Sequence, residues 1–227
     1  MINKLRNIFA EISALPALKV RLDNSDTGKR LYGNFTKRHP KYFIFKQKTI
    51  GVGLVCLNEF QDSNAYTQSV NGKNSAAYFS RKALRAGYLF KEIDPEAHRL
   101  AILEINRSAS SRQGRSMDES YTTDLIQYPK DSHNAYFGVF HENVLVAYLW
   151  VVKSGELAVL SRLLGHADHL SNGVMYLLIT SYIEQELIKL HDVRFVMYDT
   201  FFGAGDGLKL FKTRCGFKPY KVKWLLK

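Results

Sequence analysis

From residue 88 onward the chain changes its hydrophobic period in a set order, and that order limits the fold more than any single residue does. Residues 88–93 read as a strand. Residues 98–106 place Leu100, Ile102, Leu103 and Ile105 mostly on one side of a helix. A polar, helix-like segment follows. Residues 135–140 and 144–152 form a hairpin across His141-Glu-Asn143. Residues 157–163 make a further strand after the Ser154-Gly-Glu turn. Residues 173–190 are the best helix in the chain, and 193–198 read as a buried strand. A short helix over 207–214 stops at Gly216, and 219–226 are a last strand. Strands and helices in this alternation define an α/β class.

Upstream the pattern is looser. Residues 76–86 predict a short helix with Gly87 as its C-cap. Residues 42–45 and 50–57 predict a hairpin around Lys46-Gln-Lys-Thr49. The stretch 61–75, rich in Asn, Ser and Gln, reads as a connection. The expected division is therefore an N-terminal extension over 1–74, with a helix and a hairpin, and a domain over 75–227. Ile2, Leu5, Ile8, Phe9, Ile12 and Leu15 recur at helical spacing up to Pro16, which suits packing on the core or lying on a membrane surface. Glu11 and Ser13 interrupt that run, so it does not read as a secretory signal. No stretch has the roughly 20 apolar residues of a membrane span. A cytoplasmic protein is expected. Cys56 and Cys215 are too few for a disulfide framework and have no metal-ligand spacing, so no metal is expected.

The 32 Lys and Arg exceed the 21 Asp and Glu, for a net charge of +11. The excess is local. Residues 19–50 hold nine cations and two Asp, and residues 207–227 hold seven cations and no acid. A charge so distributed suits an anionic partner: a phosphate-bearing donor or acceptor, or a nucleic acid such as tRNA. In the first run the cations alternate with Tyr32, Phe35 and Tyr42, a composition that can stack and neutralise single-stranded nucleic acid.

The element order from residue 75 resembles the GNAT acyltransferase superfamily, in which it builds a splayed mixed sheet flanked by helices. Gly207-Leu-Lys-Leu-Phe-Lys-Thr-Arg-Cys-Gly-Phe217 is similar to the last helix and turn of GNAT proteins, where a Gly-Phe pair closes the helix onto the final strand. Phe79-Ser-Arg-Lys-Ala-Leu-Arg-Ala-Gly-Tyr88 resembles a segment of the Fem-type peptidyltransferases, the GNAT-like branch that takes aminoacyl groups from charged tRNA. Residues 108–121, with Arg112-Gln-Gly-Arg115, resemble a segment of GNAT-like proteins found with polysaccharide genes.

The resemblance implies a set of site residues. GNAT enzymes hold the pyrophosphate of acyl-CoA at a strand-to-helix junction with the pattern [QR]-x-x-G-x-[GA], and Arg162-Leu-Leu-Gly165-His-Ala167 matches it in letters. The anion would meet unpaired N–H groups and the positive end of a helix dipole. The expected helix starts later, near Ser171-Asn172-Gly173, so cofactor binding is expected somewhere within 162–173. Many GNAT enzymes carry a Tyr four residues before the Gly of the Gly-Phe pair. Here that position is Lys212, and the Phe211-Lys212 pair resembles the Fem-type branch. Its charge can stabilise an oxyanion or a phosphate. His166, Tyr198 and Asp199 are the catalytic candidates: His166 is of the residue type most used as a general acid or base, and Tyr198-Asp199 end a buried strand. Arg112, Gln113 and Arg115 are expected on the acceptor wall, as arginines suited to bidentate recognition of carboxylate or phosphate.

The resemblance implies an N-acyltransferase. The first reading takes acyl-CoA, acetyl-CoA foremost, as donor and a small anionic amine such as an amino sugar as acceptor. The second takes an aminoacyl-tRNA as donor. A third is a GNAT-like protein that modifies nucleic acid.

Overall fold

In the computed structural model eight strands pair into one sheet whose spatial order is unlike their chain order, and two more pair only with each other. Residues 12–40, 46–112, 115–117, 119–123, 127–189 and 192–227 are described, and at Arg112, Arg115, Ser120 and Thr122 only the main chain is. The strands are β1 (Ala17–Leu22), β2 (Val52–Cys56), β3 (Leu89–Glu92), β4 (Ser111–Arg112), β5 (Arg115–Ser116), β6 (Asn134–His141), β7 (Val144–Ser154), β8 (Leu157–Gly165), β9 (Phe195–Thr200) and β10 (Lys218–Leu226). The helices are α1 (Asp26–Thr36), α2 (Ser63–Ser69), α3 (Ala76–Arg85), α4 (Arg99–Arg107), α5 (Glu119–Thr122), α6 (Val174–Ile188) and α7 (Asp206–Arg214).

The sheet runs β1-β10-β2-β9-β8-β7-β6-β3. The β1/β10 and β8/β9 pairs are parallel and the other ladders antiparallel. The sheet is therefore mixed, as expected. Alternation decides what each face holds. On one face, Val20, Leu22, Val52, Leu54, Met197, Tyr220, Val222 and Trp224 pack with Phe35 of α1. Tyr136, Leu145, Tyr148 and Leu164 meet Ile102 and Ile105 of α4 on the same face. On the other face, Phe137, Val139, Ala147, Leu149 and Val151 meet α3 and the buried residues Leu177, Leu178, Ile179, Tyr182 and Ile183 of α6. A helix apolar on nearly every side is one that is covered on nearly every side, and α6 lies between the sheet, α2 and α3.

Several local expectations hold. The helix over 76–86 is α3, where Ser75 Oγ accepts from the Tyr78 N–H at 3.2 Å and Gly87 follows at φ +84°. The 135–152 hairpin is β6/β7. Three features differ from expectation. Residues 61–75 are more than a connection, because they contain α2, whose first turn is capped by Asp62 Oδ1 accepting from the Ala65 N–H at 2.7 Å. Its polar composition hides the helix: only Tyr66 and Val70 turn inward, and Tyr66 donates its hydroxyl to the Cys215 carbonyl at 3.0 Å. The expected boundary at residue 75 falls within the sheet, since β1 and β2 stand beside β9 and β10. Finally, β2 takes its ladders from β10 and β9, while residues 42–45 of the expected hairpin lie outside the described residues. Residues 2, 5, 8 and 9 of the expected N-terminal helix lie outside them too.

Tyr182 carries the one buried side-chain polar atom without a protein partner among the described residues. Its hydroxyl gives up water and gains nothing, which costs about 1–3 kcal/mol. Tyr182→Phe is expected to raise the unfolding free energy by about 1 kcal/mol in urea titration.

Candidate active site

The parallel β8/β9 ladder is short. It joins Leu157, Ala158 and Val159 to Phe195, Val196 and Met197, and then stops. Beyond it, β8 continues to Gly165 alongside β7, and β9 continues to Thr200 alongside β2. Two strands that part in this way leave a wedge, floored by neither ladder. The wedge opens into a cavity of about 710 Å³, walled by Gly165 of β8, Met175 and Tyr176 of α6, Tyr198 of β9, and Gly207 and Phe211 of α7. This is where the molecule has room for an extended small substrate.

Tyr198 is the one catalytic candidate that reaches this cavity. Burial pushes its phenol well above the usual value, so it stays protonated and can donate a hydrogen bond at neutral pH. Its neighbour Asp199 points elsewhere. Asp199 ends the ladder in a left-handed conformation, φ +49°, and its carboxylate pairs with Lys48 at a half-exposed site. A non-glycine residue held there is strained. His166 is placed apart from both. It lines a separate hollow of about 380 Å³ with Leu103 and Ser108, and its Nδ1 accepts from the Asp168 N–H at 3.4 Å. The expected catalytic trio is therefore not brought together.

Lys212 is fully buried. Its ammonium donates to the Thr200 carbonyl at 2.7 Å. It sits 4.8 Å from the Tyr198 ring centroid and 5.5 Å from that of Phe201. Burial lowers its pKa from 10.5 to about 8, partly offset by Asp199. Lys212 thus stands behind Tyr198 as seen from the cavity. The loop after β9 is pinned rather than loose. Phe201 donates its N–H to the Gly51 carbonyl at 2.7 Å, and the Phe202 ring occupies the space where a Cβ on Gly51 would be.

The strand-to-helix junction expected to hold pyrophosphate divides between the two faces of the sheet. Arg162 lies on the α4 face of the sheet, with its guanidinium 4.6 Å from the Tyr121 ring centroid, next to Trp150. Gly165 faces α6 at the cavity wall, where a Cβ would stand 2.6 Å from Met175 Sδ. Residues Ala167–Asn172 form a 3₁₀ turn. Ser171 is exposed, and Asn172 donates to the Tyr88 hydroxyl at 2.9 Å. That hydroxyl also bonds His169 Nδ1 at 2.8 Å. His169 titrates below its usual value, because of burial and then of His166 and His141 nearby. Gly173 has φ +83° and faces the Phe79 carbonyl, 2.6 Å from where its Cβ would be.

Arg112 and Arg115 face each other across the two-residue β4/β5 ladder. Their side chains and Gln113 lie outside what is described. Among the described residues no cluster suits a metal ion, and no helix is long and apolar enough to cross a membrane.

Sequence reasoning passed over Phe79, Tyr176 and Arg214. Phe79 stacks on Tyr176 at 4.9 Å and 17°, Tyr176 meets Phe211 at 4.7 Å, and Arg214 stands 5.6 Å from the Phe79 ring centroid while donating to the Tyr176 hydroxyl at 3.2 Å. The three lie far apart in sequence, and no local spacing connects them.

No protein-family model and no curated protein matches the sequence. Solved structures do match. The structure of FemX superposes with a TM-score of 0.57 at 10% identity, over 86% of this chain and 65% of that one. The C-terminal domain (DUF2156) of a candidate lysylphosphatidylglycerol synthetase from Agrobacterium fabrum superposes with a TM-score of 0.52 at 13% identity, over 76% of this chain and 58% of that one. A tandem GNAT protein from the clavulanic acid biosynthesis pathway gives 0.49 at 16% identity, over 86% of this chain and 56% of that one. The chain spans less than two thirds of each of these structures. With its splayed β8/β9 pair and its eight-stranded mixed sheet, the chain has a GNAT-like fold, similar to the structure of FemX.

Proposed function

We propose that the protein transfers an aminoacyl group from an RNA ester to an amine, with the acyl carbonyl held in the β8/β9 wedge beside Tyr198. Acyl transfer needs a donor for the charge that develops on the carbonyl oxygen, and room for the leaving group. The protonated Tyr198 phenol supplies the first at the cavity wall. The parting strands supply the second, with the β8 edge beyond Val159 outside any β8/β9 ladder. Lys212 acts through Tyr198. Its charge behind the ring favours negative charge in front of it, and its bond to Thr200 holds the end of β9. The acceptor fits the earlier expectation of a small anionic amine such as an amino sugar.

The position of Arg162 supports the choice of donor. Arg162, the cation of the letter pattern for the pyrophosphate of acyl-CoA, is turned to the α4 face of the sheet, beside Tyr121 and Trp150 and opposite α6. The superpositions on FemX and on the lysylphosphatidylglycerol synthetase domain, each above a TM-score of 0.5, support the same reading, and so does the net charge of +11.

Filter binding with total aminoacyl-tRNA and calorimetry with acetyl-CoA test the donor. Retention of tRNA that falls steeply with salt is expected, with no saturable heat from CoA at millimolar concentration. Saturable CoA binding without tRNA retention would restore acetyl-CoA as the donor.

A further inference from the structure

The exposed face of α3 is basic and aromatic, and it leads into the cavity. Tyr78, Arg81, Lys82 and Arg85 recur at helical spacing and are exposed. Tyr78 leaves about half its surface, 47%, in water. Its ring meets Phe79 edge-on at 5.2 Å, Phe79 stacks on Tyr176, and Tyr176 is a cavity wall. Arg214 lies against the far side of this ladder of rings. Arg81 bonds only the neutral Asn71, at 2.8 Å. Lys82, Arg85 and Arg214 make no ion pair among the described residues, and no Asp or Glu occurs from residue 63 to residue 91. The helix is about 15 Å long.

Two cationic residues in the last turn of a helix would be explained by the helix dipole alone. That account leaves out Tyr78, which is large, exposed and joined to the cavity by stacked rings. Cations beside exposed rings are the composition that holds single-stranded nucleic acid: the cations take phosphates and the rings take base faces.

We infer that the exposed face of α3, with Arg214, is the docking strip for the single-stranded 3′ end of the RNA donor. This rests on the aminoacyl-ester reading and specifies how the donor arrives. The phosphates lie along Arg81, Lys82 and Arg85, a base stacks on Tyr78, and the terminal ester passes Phe79 and Tyr176 into the wedge. The α1 side, with Lys29 and Arg30 exposed, is the rival basic surface. It lies across the sheet from α3.

Deacylated tRNA and the same tRNA lacking its single-stranded 3′ nucleotides are the probes, in filter binding at several salt concentrations. The variants are Lys82→Glu/Arg85→Glu, Tyr78→Ala and, as control, Lys29→Glu/Arg30→Glu. All the changes are at exposed positions, and circular dichroism checks the fold. The α3 double variant is expected to bind intact tRNA at least about tenfold more weakly, with the slope of log K against log salt smaller by about 1.4 for two lost phosphate contacts. Tyr78→Ala is expected to lose about tenfold with an unchanged slope. The shortened tRNA should bind wild type and Tyr78→Ala alike. If wild type binds tRNA and the α3 variants bind it equally well, or if only the α1 variant loses affinity, the strip is wrong and the donor reading stands. If wild type binds no RNA but saturates with CoA, both fall together.

Discussion

Replacing Lys212 with Met should give a protein that is more stable than wild type and about 100-fold slower in transfer. The stability half follows from burial. Holding a fully buried lysine at a pKa of about 8 instead of 10.5 costs about 3 kcal/mol at neutral pH. The sign is set by which state binds more protons. Between pH 8 and 10.5 the unfolded chain keeps the proton and the folded one has lost it, so stability rises with pH across that window. Below about pH 8 the penalty is present in full. Met matches the length of the lysine stem and removes both the charge and the titration. The Thr200 carbonyl loses its donor, which returns about 1 kcal/mol. A net gain of about 1–3 kcal/mol is expected at pH 7, with a flatter pH dependence above 8. The rate half follows from position. One preorganised donor or charge at a developing oxyanion is worth roughly 100-fold or more. Wild-type transfer should lose rate as pH rises through about 8, and Lys212→Met should lack that limb. Urea titration at pH 7 and 9.5 and a pH–rate profile separate the two halves. An unaltered pH–rate profile in the variant would reduce Lys212 to a structural lysine.

The second large effect lies on the opposite side of α6. Glu186 is buried with no side-chain exposure, and both its oxygens accept from Lys153 Nζ, at 2.7 and 2.8 Å. Lys153→Met leaves the carboxylate without its cation, which costs about 3–5 kcal/mol. In a chain of this size that corresponds to a fall in melting temperature of about 10 °C. The double variant Lys153→Met/Glu186→Leu should recover to within about 1 kcal/mol of wild type, because the desolvation penalty leaves with the charges. The pair ties β7 to α6, the helix whose first turn walls the cavity, so the single variant should also weaken transfer. Calorimetric melting of the three proteins reads the cycle. A single variant as stable as wild type would mean that the carboxylate finds water or another donor.

The C-terminal part of the fold was legible because its signals are local. A long apolar helix, a tight hairpin and a Gly-Phe closure each lie within about 20 residues, and periodicity reads such windows well. β1 and α1 were not legible. Residues 17–22 alternate over only three turns of the pleat, and their partner is 200 residues away. The site divided in the same way. Tyr198 and Lys212, which the structure places together beside the cavity, could be singled out because each ends or stabilises a local element. His166 was misleading because its position after a strand is close in sequence to the cavity while its ring faces a different hollow. Arg162 matched a letter pattern, and alternation from Ala158 and Leu160 would put it on the α6 face, yet it stands on the other, beside Trp150. A bulge between Trp150 and Val151 shifts the β7/β8 register nearby, and no spacing rule signals a bulge. Lys48, the partner of Asp199, lies 151 residues from it.

The parallel pairing of β1 with β10 also sets a schedule for synthesis. Val20 and Leu22 are made early, and the strand that pairs with theirs comes about 200 residues later. At 5–20 residues per second a ribosome needs roughly 10–40 s to cover that interval. β2 waits as well, since both its neighbours, β9 and β10, come from the last part of the chain. The β3-β6-β7-β8 half can assemble on the ribosome with α6, while the first strands are held open. A nascent chain interrupted before residue 195 would then carry a finished half-sheet and two unpaired apolar strands, the kind of species that chaperones bind.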